Sequence, residues 1–142
     1  MQIRWLIRRD MDEVVGIDES NGDYDTEDGI LKRLGRTDTI GIVYDDGTDI
    51  VGYAVYQLGQ AWIKIQLLAV GEDDKRQGIG SELLECIKNK LSPDRRKWIR
   101  IAVDEYNLAA QLFLRSNGFV CVGHGDELVF EYALSVRESK PR

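Results

Sequence analysis

The chain predicts a mixed α/β architecture, a sheet with helices on both faces, in the order β-α-α-β-β-β-α-β-α-β-β. Three observations carry this. Apolar residues alternate with a period of two in some segments and recur at three- and four-residue spacing in others. Clusters of Gly, Asn, Asp and Pro separate those segments at short intervals. The composition, 43% hydrophobic and 31% charged over 142 residues, suits a single globular domain spanning residues 1–142.

Each element has a local reason. Residues 3–7 (Ile-Arg-Trp-Leu-Ile) read as a first strand, and Asp10 is placed to cap a helix over residues 11–17. Residues 18–25, with Asn21 and Gly22, read as a loop. Asp25 or Thr26 then caps a second helix that carries Ile30, Leu31 and Leu34 on one face and stops at Gly35. Residues 40–44 are apolar and β-branched, Asp45-Asp46-Gly47 is a hairpin signal, and residues 50–58 form the return strand. After a turn at Gly59-Gln60, Lys64 and Gln66 alternate with Ile63, Ile65 and Leu67 in a strand over residues 62–70. From Gly78 the spacing of Ile79, Leu83, Leu84, Ile87 and Leu91 is helical and ends before Pro93. Residues 98–103 form a strand. Residues 107–116 form a helix closed by Asn117-Gly118, a left-handed cap. Residues 119–122 and 128–134 are two strands joined by a His124-Gly125-Asp126 turn, and residues 137–142 are expected to fray.

Several classes are set aside. No apolar run reaches the ~18–20 residues that span a bilayer, and the first residues lack the pattern of a signal peptide. No membrane partner and a cytoplasmic location are therefore expected. Cys86 and Cys121 lack Cys-x-x-Cys spacing and read as buried thiols rather than a disulfide. With one histidine, His124, placed in a turn, no metal site is expected. The net charge is −6, and residues 1–60 hold 13 acids against 6 bases. That balance argues against a nucleic-acid partner, and the acidic run Asp18, Glu19, Asp23, Asp25, Glu27 and Asp28 would suit a cationic one. The same acids also suit a helix start on dipole grounds alone.

The segment richest in chemistry is Lys75-Arg76-Gln77-Gly78-Ile79-Gly80-Ser81, between a strand and a helix. Glycines there let a ligand approach the backbone, and helix-start amides with the helix dipole favour an anion such as phosphate. The Gly-Lys-Ser/Thr ending of a Walker loop is missing, and so is the third glycine of the dinucleotide fingerprint.

Together with Leu68-Ala69-Val70 before it and Asn107-Leu108-Ala109-Ala110 with Gly118-Phe119 after it, this segment resembles the two signatures of the GNAT N-acetyltransferase superfamily. The resemblance covers essentially the whole chain. It implies the GNAT acyl-CoA N-acyltransferase fold, with a mostly antiparallel central sheet, and acetyl-CoA as cosubstrate. It implies that Leu68, Ala69 and Val70 offer backbone groups to the pantetheine arm and the thioester carbonyl. Arg76, Gln77, Gly78, Ile79, Gly80 and Ser81 would cradle the pyrophosphate. Asn107 would contact the cofactor, although its position equally suits a helix cap. Among subfamilies the chain is most similar to the RimI-like ribosomal-protein N-terminal acetyltransferases, over residues 99–119. It departs from them where a base and a proton donor are usual: those positions are Ala102 and Leu114. Lys75 opens the phosphate motif in place of Gln or Arg, and the turn between the last two strands is short.

The resemblance thus implies acetyl transfer to a primary amine by direct attack in a ternary complex, with a protein N-terminal α-amine as acceptor. An α-amine, with its pKa near ~7.7–8.0, needs less help from a base than a lysine amine near ~10.4. The candidates for proton transfer are Asp104, on the parity of Ala102 if the strand continues, and Tyr106 beside Asn107. Glu105 would face the other way. Tyr53 and Tyr56 lie on opposite faces of their strand. Two rival readings stand beside this one: an acyl-CoA-binding module with little catalysis, and an acetyltransferase for small-molecule amines. Either a monomer or a homodimer is compatible with the sequence.

Overall fold

A computed structural model describes residues 2–20, 26–71 and 77–134 of the chain. Seven strands form one sheet in the order β1-β2-β3-β4-β5-β7-β6. They are β1 (Gln2–Trp5), β2 (Thr39–Asp45), β3 (Ile50–Leu58), β4 (Trp62–Val70), β5 (Trp98–Val103), β6 (Val120–His124) and β7 (Leu128–Ala133). Four helices accompany them: α1 (Met11–Ser20), α2 (Glu27–Leu34), α3 (Ile79–Lys88) and α4 (Leu108–Ser116). The expected element order and the mixed, mostly antiparallel sheet are both present; β4 and β5 form the one parallel pair among the described strands.

The sheet separates two apolar clusters. Met11, Val14 and Ile17 of α1 and Ile30 of α2 pack on Val43, Ile50, Tyr53 and Val55. On the other face, Ile79, Leu83, Leu84 and Ile87 of α3 and Leu114 of α4 pack on Ile42, Tyr56, Ile63, Ile65, Ile99 and Phe130. Each such side chain contributes roughly 1.5–3 kcal/mol on full burial. Central β3 is buried on both faces from Ile50 to Tyr56, so Tyr53 and Tyr56 do lie on opposite faces, both in the core. Burial holds the Tyr56 hydroxyl up to about 12, with the neighbouring Cys86 thiol adding to the shift.

Several local expectations are corrected. β1 ends at Trp5, because Leu6 and Ile7 lead into a 3₁₀ turn over Arg8–Asp10. Asp10 sits inside that turn and is not the cap of α1. Its buried carboxylate accepts the Ile7 amide at 2.9 Å and both terminal nitrogens of Arg4 at 2.8 and 2.9 Å. Arg4 and the Ile7 amide hold the Asp10 carboxyl below its ordinary range. The helix that follows runs to Ser20, three residues beyond the expected end, and residues 21–25 with the expected Asp25 cap lie outside the described residues. Thr26 caps α2, its hydroxyl accepting the Gly29 amide at 2.9 Å, and Gly35 ends the helix at a right-handed φ of −70°. Cys121 is exposed rather than buried, Cys86 is half-buried, and His124 closes β6 rather than sitting in the turn. The expected frayed tail, residues 137–142, also lies outside the described residues.

Candidate acyl-CoA and acceptor site

The parallel pairing of β4 with β5 is short. It joins Trp62–Ile65 to Trp98–Ile101 and stops, while β5 stays paired to β7 through Val103. The two strands therefore part beyond Ile65 and Ile101. A bulge causes the divergence. Val55 pairs with Leu67 and Tyr56 with Ile65, which leaves Gln66 as an extra residue on β4. An extra residue bends its strand and breaks the alternation of faces. Ile63 and Ile65 accordingly pack on the α3 side, whereas Leu67 has crossed to the α1–α2 side, contrary to the uniform alternation read from the sequence.

The bulge also sets which backbone groups face the gap. Gly71 N–H donates to Val51 O at 2.8 Å, so the antiparallel ladder bonds residues 71, 69 and 67 to β3. Ala69 therefore turns its amide and carbonyl to Tyr53 and not to the gap. The backbone of Leu68 and Val70 points away from β3. Of the three residues expected to offer backbone groups there, Leu68 and Val70 are oriented to do so and Ala69 is not.

The start of α3 lies at the end of the same strand. Gly78 adopts φ +80°, a left-handed conformation that only glycine takes without cost, and a Cβ placed there would meet nothing within 4 Å. The first intrahelical bond runs from Glu82 N to Gly78 O. The amides of Ile79, Gly80 and Ser81 thus have no acceptor among the described residues, at the positive end of the helix dipole. The Ile79 side chain is buried, so only its backbone is offered. Gly80 has a packing reason: a Cβ would stand 2.9 Å from the Phe113 ring of α4 and 3.5 Å from Val70. Gln77 is exposed, and Lys75 and Arg76 lie outside the described residues.

Asn107 caps α4, its side-chain oxygen accepting the Ala110 amide at 3.1 Å. β5 ends at Val103, so Asp104 stands in the turn rather than on the strand's parity. One of its carboxylate oxygens accepts the Tyr106 amide at 2.8 Å, and Gln111 clamps the same turn by donating to Glu105 O at 2.9 Å. Tyr106 is 84% exposed. Ala102 is exposed on the α2 side of β5, and Leu114 is buried under α4, so neither replaces the missing proton carriers.

One feature was not singled out in the sequence. A cleft of about 570 Å³ between α2 and the sheet is lined by Gly29, Lys32, Arg33, Arg36, Gln57 and Gln66. Arg33 donates to Gln66 at 3.2 Å, Gln66 to Gln57 at 3.4 Å, and Gln57 to Asp38 at 2.9 Å. Asp38 also pairs with Arg36 at 3.2 Å, and those bonds hold its carboxyl down to about 2. The signal available was the cluster of bases Lys32, Arg33 and Arg36 at the C-terminal end of the second helix, with Gln57 and Gln66 in two mostly apolar strands.

Residues 22–136 match the acetyltransferase (GNAT) domain model. The chain belongs to the GNAT acetyltransferase family. It is thus an acyltransferase, and the helix-start amides and the parted strands fit an acyl-CoA. No curated protein matches the chain in sequence. Solved structures share the GNAT fold at low identity. The ribosomal-protein-S18-alanine N-acetyltransferase of Escherichia coli superposes with a TM-score of 0.82 at 19% identity, covering 95% of this chain and 94% of that one. Ard1 of Thermoplasma volcanium gives 0.82 at 23% identity, with 93% and 96% covered. The PaiA N-acetyltransferase of Thermoplasma acidophilum, solved with coenzyme A, gives 0.81 at 15% identity, with 93% and 98% covered. No helix among the described residues of this GNAT chain is long and apolar enough to cross a membrane.

Proposed function

We propose that residues 1–142 act as a cytoplasmic, acetyl-CoA-dependent N-acetyltransferase that modifies a primary amine, with a protein N-terminal α-amine as the preferred acceptor. The observation that carries this reading is the meeting of two features at one end of β4. The left-handed start of α3 leaves three amides without a described acceptor, and the bulge at Gln66 turns the Leu68 backbone into the gap between β4 and β5. Acetyl-CoA bound there would supply an activated thioester. The amides of Ile79, Gly80 and Ser81 would hold its phosphates, with Arg76 and Gln77 preceding them. The Leu68 and Val70 backbone would hold the pantetheine arm, and Asn107 would set the start of α4 alongside. A backbone amide in this gap is a pre-oriented donor for a carbonyl oxygen that gains charge.

Asp104 and Tyr106 are the proposed proton carriers. They follow the carboxyl end of β5, beside the gap, and the second carboxylate oxygen of Asp104 is not used by the Tyr106 amide. An α-amine, with its pKa near ~7.7–8.0, is neutral in roughly a fifth to a third of molecules at physiological pH, against about one in a thousand for a lysine amine, and so asks less of such a base. A second reading, an acyl-CoA-binding module with little turnover, is favoured by the apolar side chains at Ala102 and Leu114.

Calorimetric titration of acetyl-CoA, with CoA as control, followed by an acetylation screen over peptide N-termini and small amines, tests the proposal. One-site binding with turnover on peptides supports it. Absence of binding up to millimolar concentration overturns it. Binding without turnover on any amine leaves the binding-module reading in its place.

A further inference from the structure

Resting on the acetyltransferase reading, we propose that Gln66 is a positioning residue: its side chain, held by Arg33 and Gln57, keeps the β4 bulge in place and so decides that Leu68, and not Ala69, turns its backbone to the thioester. The apolar residues alone do not decide this. Leu67 and Ala69 pack on the α1–α2 side, and Leu68 and Val70 on the α3 side. Exchanging the two pairs would put a leucine and a small apolar residue on each side again. A strand without the bulge makes that exchange. Counting on from Ile65 opposite Tyr56, Gln66 would stand opposite Val55 and Leu68 opposite Tyr53. Leu68 would then turn its amide to β3, and Ala69 would face the gap.

Gln66 separates the two registers. The place opposite Val55, now held by Leu67, lies in the apolar cluster, where Val55 is fully buried. An amide side chain moved there would lose its partners, which is costly in an apolar setting. In the bulge it keeps them. Its carbonyl oxygen accepts Arg33 at 3.2 Å, and its amide donates to Gln57 at 3.4 Å. Gln57 donates to Asp38 at 2.9 Å, whose carboxylate also accepts Arg36 at 3.2 Å and Thr39 at 3.1 Å. The Asp38 carbonyl oxygen accepts the Leu58 amide at 2.8 Å, which ties the end of the chain to β3. From Arg33 to Asp38 every donor points the same way, so the bonds polarise one another in one sense. Arg33, Gln66, Gln57 and Asp38 are all half-buried, and none needs to touch the cofactor to act.

The test compares the unaltered protein with Gln66→Leu, whose side chain is suited to the place opposite Val55. Amide hydrogen exchange reads the register directly. In the unaltered protein the Ala69 amide should be protected and the Leu68 amide should exchange faster; Gln66→Leu should reduce or reverse that order. Turnover of acetyl-CoA on the same acceptors should fall at least about tenfold in kcat, as for a displaced oxyanion donor. Calorimetric affinity for CoA, which has no thioester carbonyl, should change less than about twofold. Gln66→Glu, which still accepts from Arg33 and is unsuited to an apolar place, should keep kcat within about threefold. Gln57→Leu cuts the chain one bond away, and should lower kcat about threefold; it decides the matter if Gln66→Leu fails to fold. Unchanged kcat and an unchanged exchange order in the leucine variants, even with a lowered Tm, overturn the inference and leave a merely structural chain. An unaltered protein that binds no acetyl-CoA, or turns over no amine, overturns the acetyltransferase reading instead, and the positioning role with it.

Discussion

Replacing Gly78 isolates the conformational demand at the start of α3 from any steric one. The φ of +80° costs a residue with a Cβ about 1–2 kcal/mol, and the space around that Cβ is open, so no clash is added. Alanine also restricts the unfolded chain, which offsets part of that cost. Gly78→Ala should therefore lose about 1 kcal/mol of stability and about 3 °C of Tm in urea and thermal melts. Asparagine tolerates the left-handed region better, and Gly78→Asn should recover about half of the loss. A turn that relaxes to avoid the strain redirects the amides behind it. The loss of one charge-assisted hydrogen bond, about 1.5 kcal/mol or more, should then weaken acetyl-CoA at least ~10-fold by calorimetry. Gly80→Ala makes the contrast. Its Cβ would meet the Phe113 ring at 2.9 Å, so overpacking of about 1–3 kcal/mol opposes a helix-propensity gain of up to about 1 kcal/mol. Phe113→Leu should relieve the former. If the unaltered protein, Gly78→Ala and Gly78→Asn were equal in stability and in acetyl-CoA affinity, the argument that the left-handed start aims the amides would be refuted.

Two further perturbations probe other levels of the structure. Asp104→Ala should cost about 0.5–1 kcal/mol through the lost bond to the Tyr106 amide, and should lower kcat about 10²-fold with Tyr106→Phe weaker; unchanged turnover in both removes them as proton carriers. Arg4→Met leaves the Asp10 carboxylate buried without its cation and should cost about 2–3 kcal/mol in urea unfolding. The folded-state pKa of Asp10 is depressed, so the stability it contributes is present above the ordinary carboxylate range and is lost as pH falls through that range and below. Asp38, held at about 2, acts in the same direction between about pH 4 and 2. The acid limb of a stability–pH curve should flatten in Arg4→Met; an unchanged limb would show that this pair is not its source.

Where local chemistry decides, the sequence is readable. The bounds of β3, β4 and β5 coincide with the alternating runs, the Asp-Asp-Gly and Gly-Gln turns lie where expected, and Thr26 and Asn107 cap the helices that their hydroxyl and amide suit. The left-handed helix start, with its amides left without a described acceptor, was visible as glycines at a strand-to-helix junction. Asp10 was misplaced because its partner Arg4 reaches it through the fold, and that bond outweighs a cap. Asp104 was misplaced because the strand stops one residue short of it, where β7 no longer pairs.

The order of the elements, their caps and turns, and the backbone conformation that Gly78 must supply are thus legible in the chain alone, because each depends on residues within a few positions of one another. The bulge at Gln66, the parting of β4 from β5, the turn of Ala69 toward β3, and the gathering of Lys32, Arg33 and Arg36 against Gln57 and Gln66 arise only once the chain has folded. Register and cross-strand contact between distant segments produce these features, and no local period or propensity encodes which residue of a strand will be left without a partner.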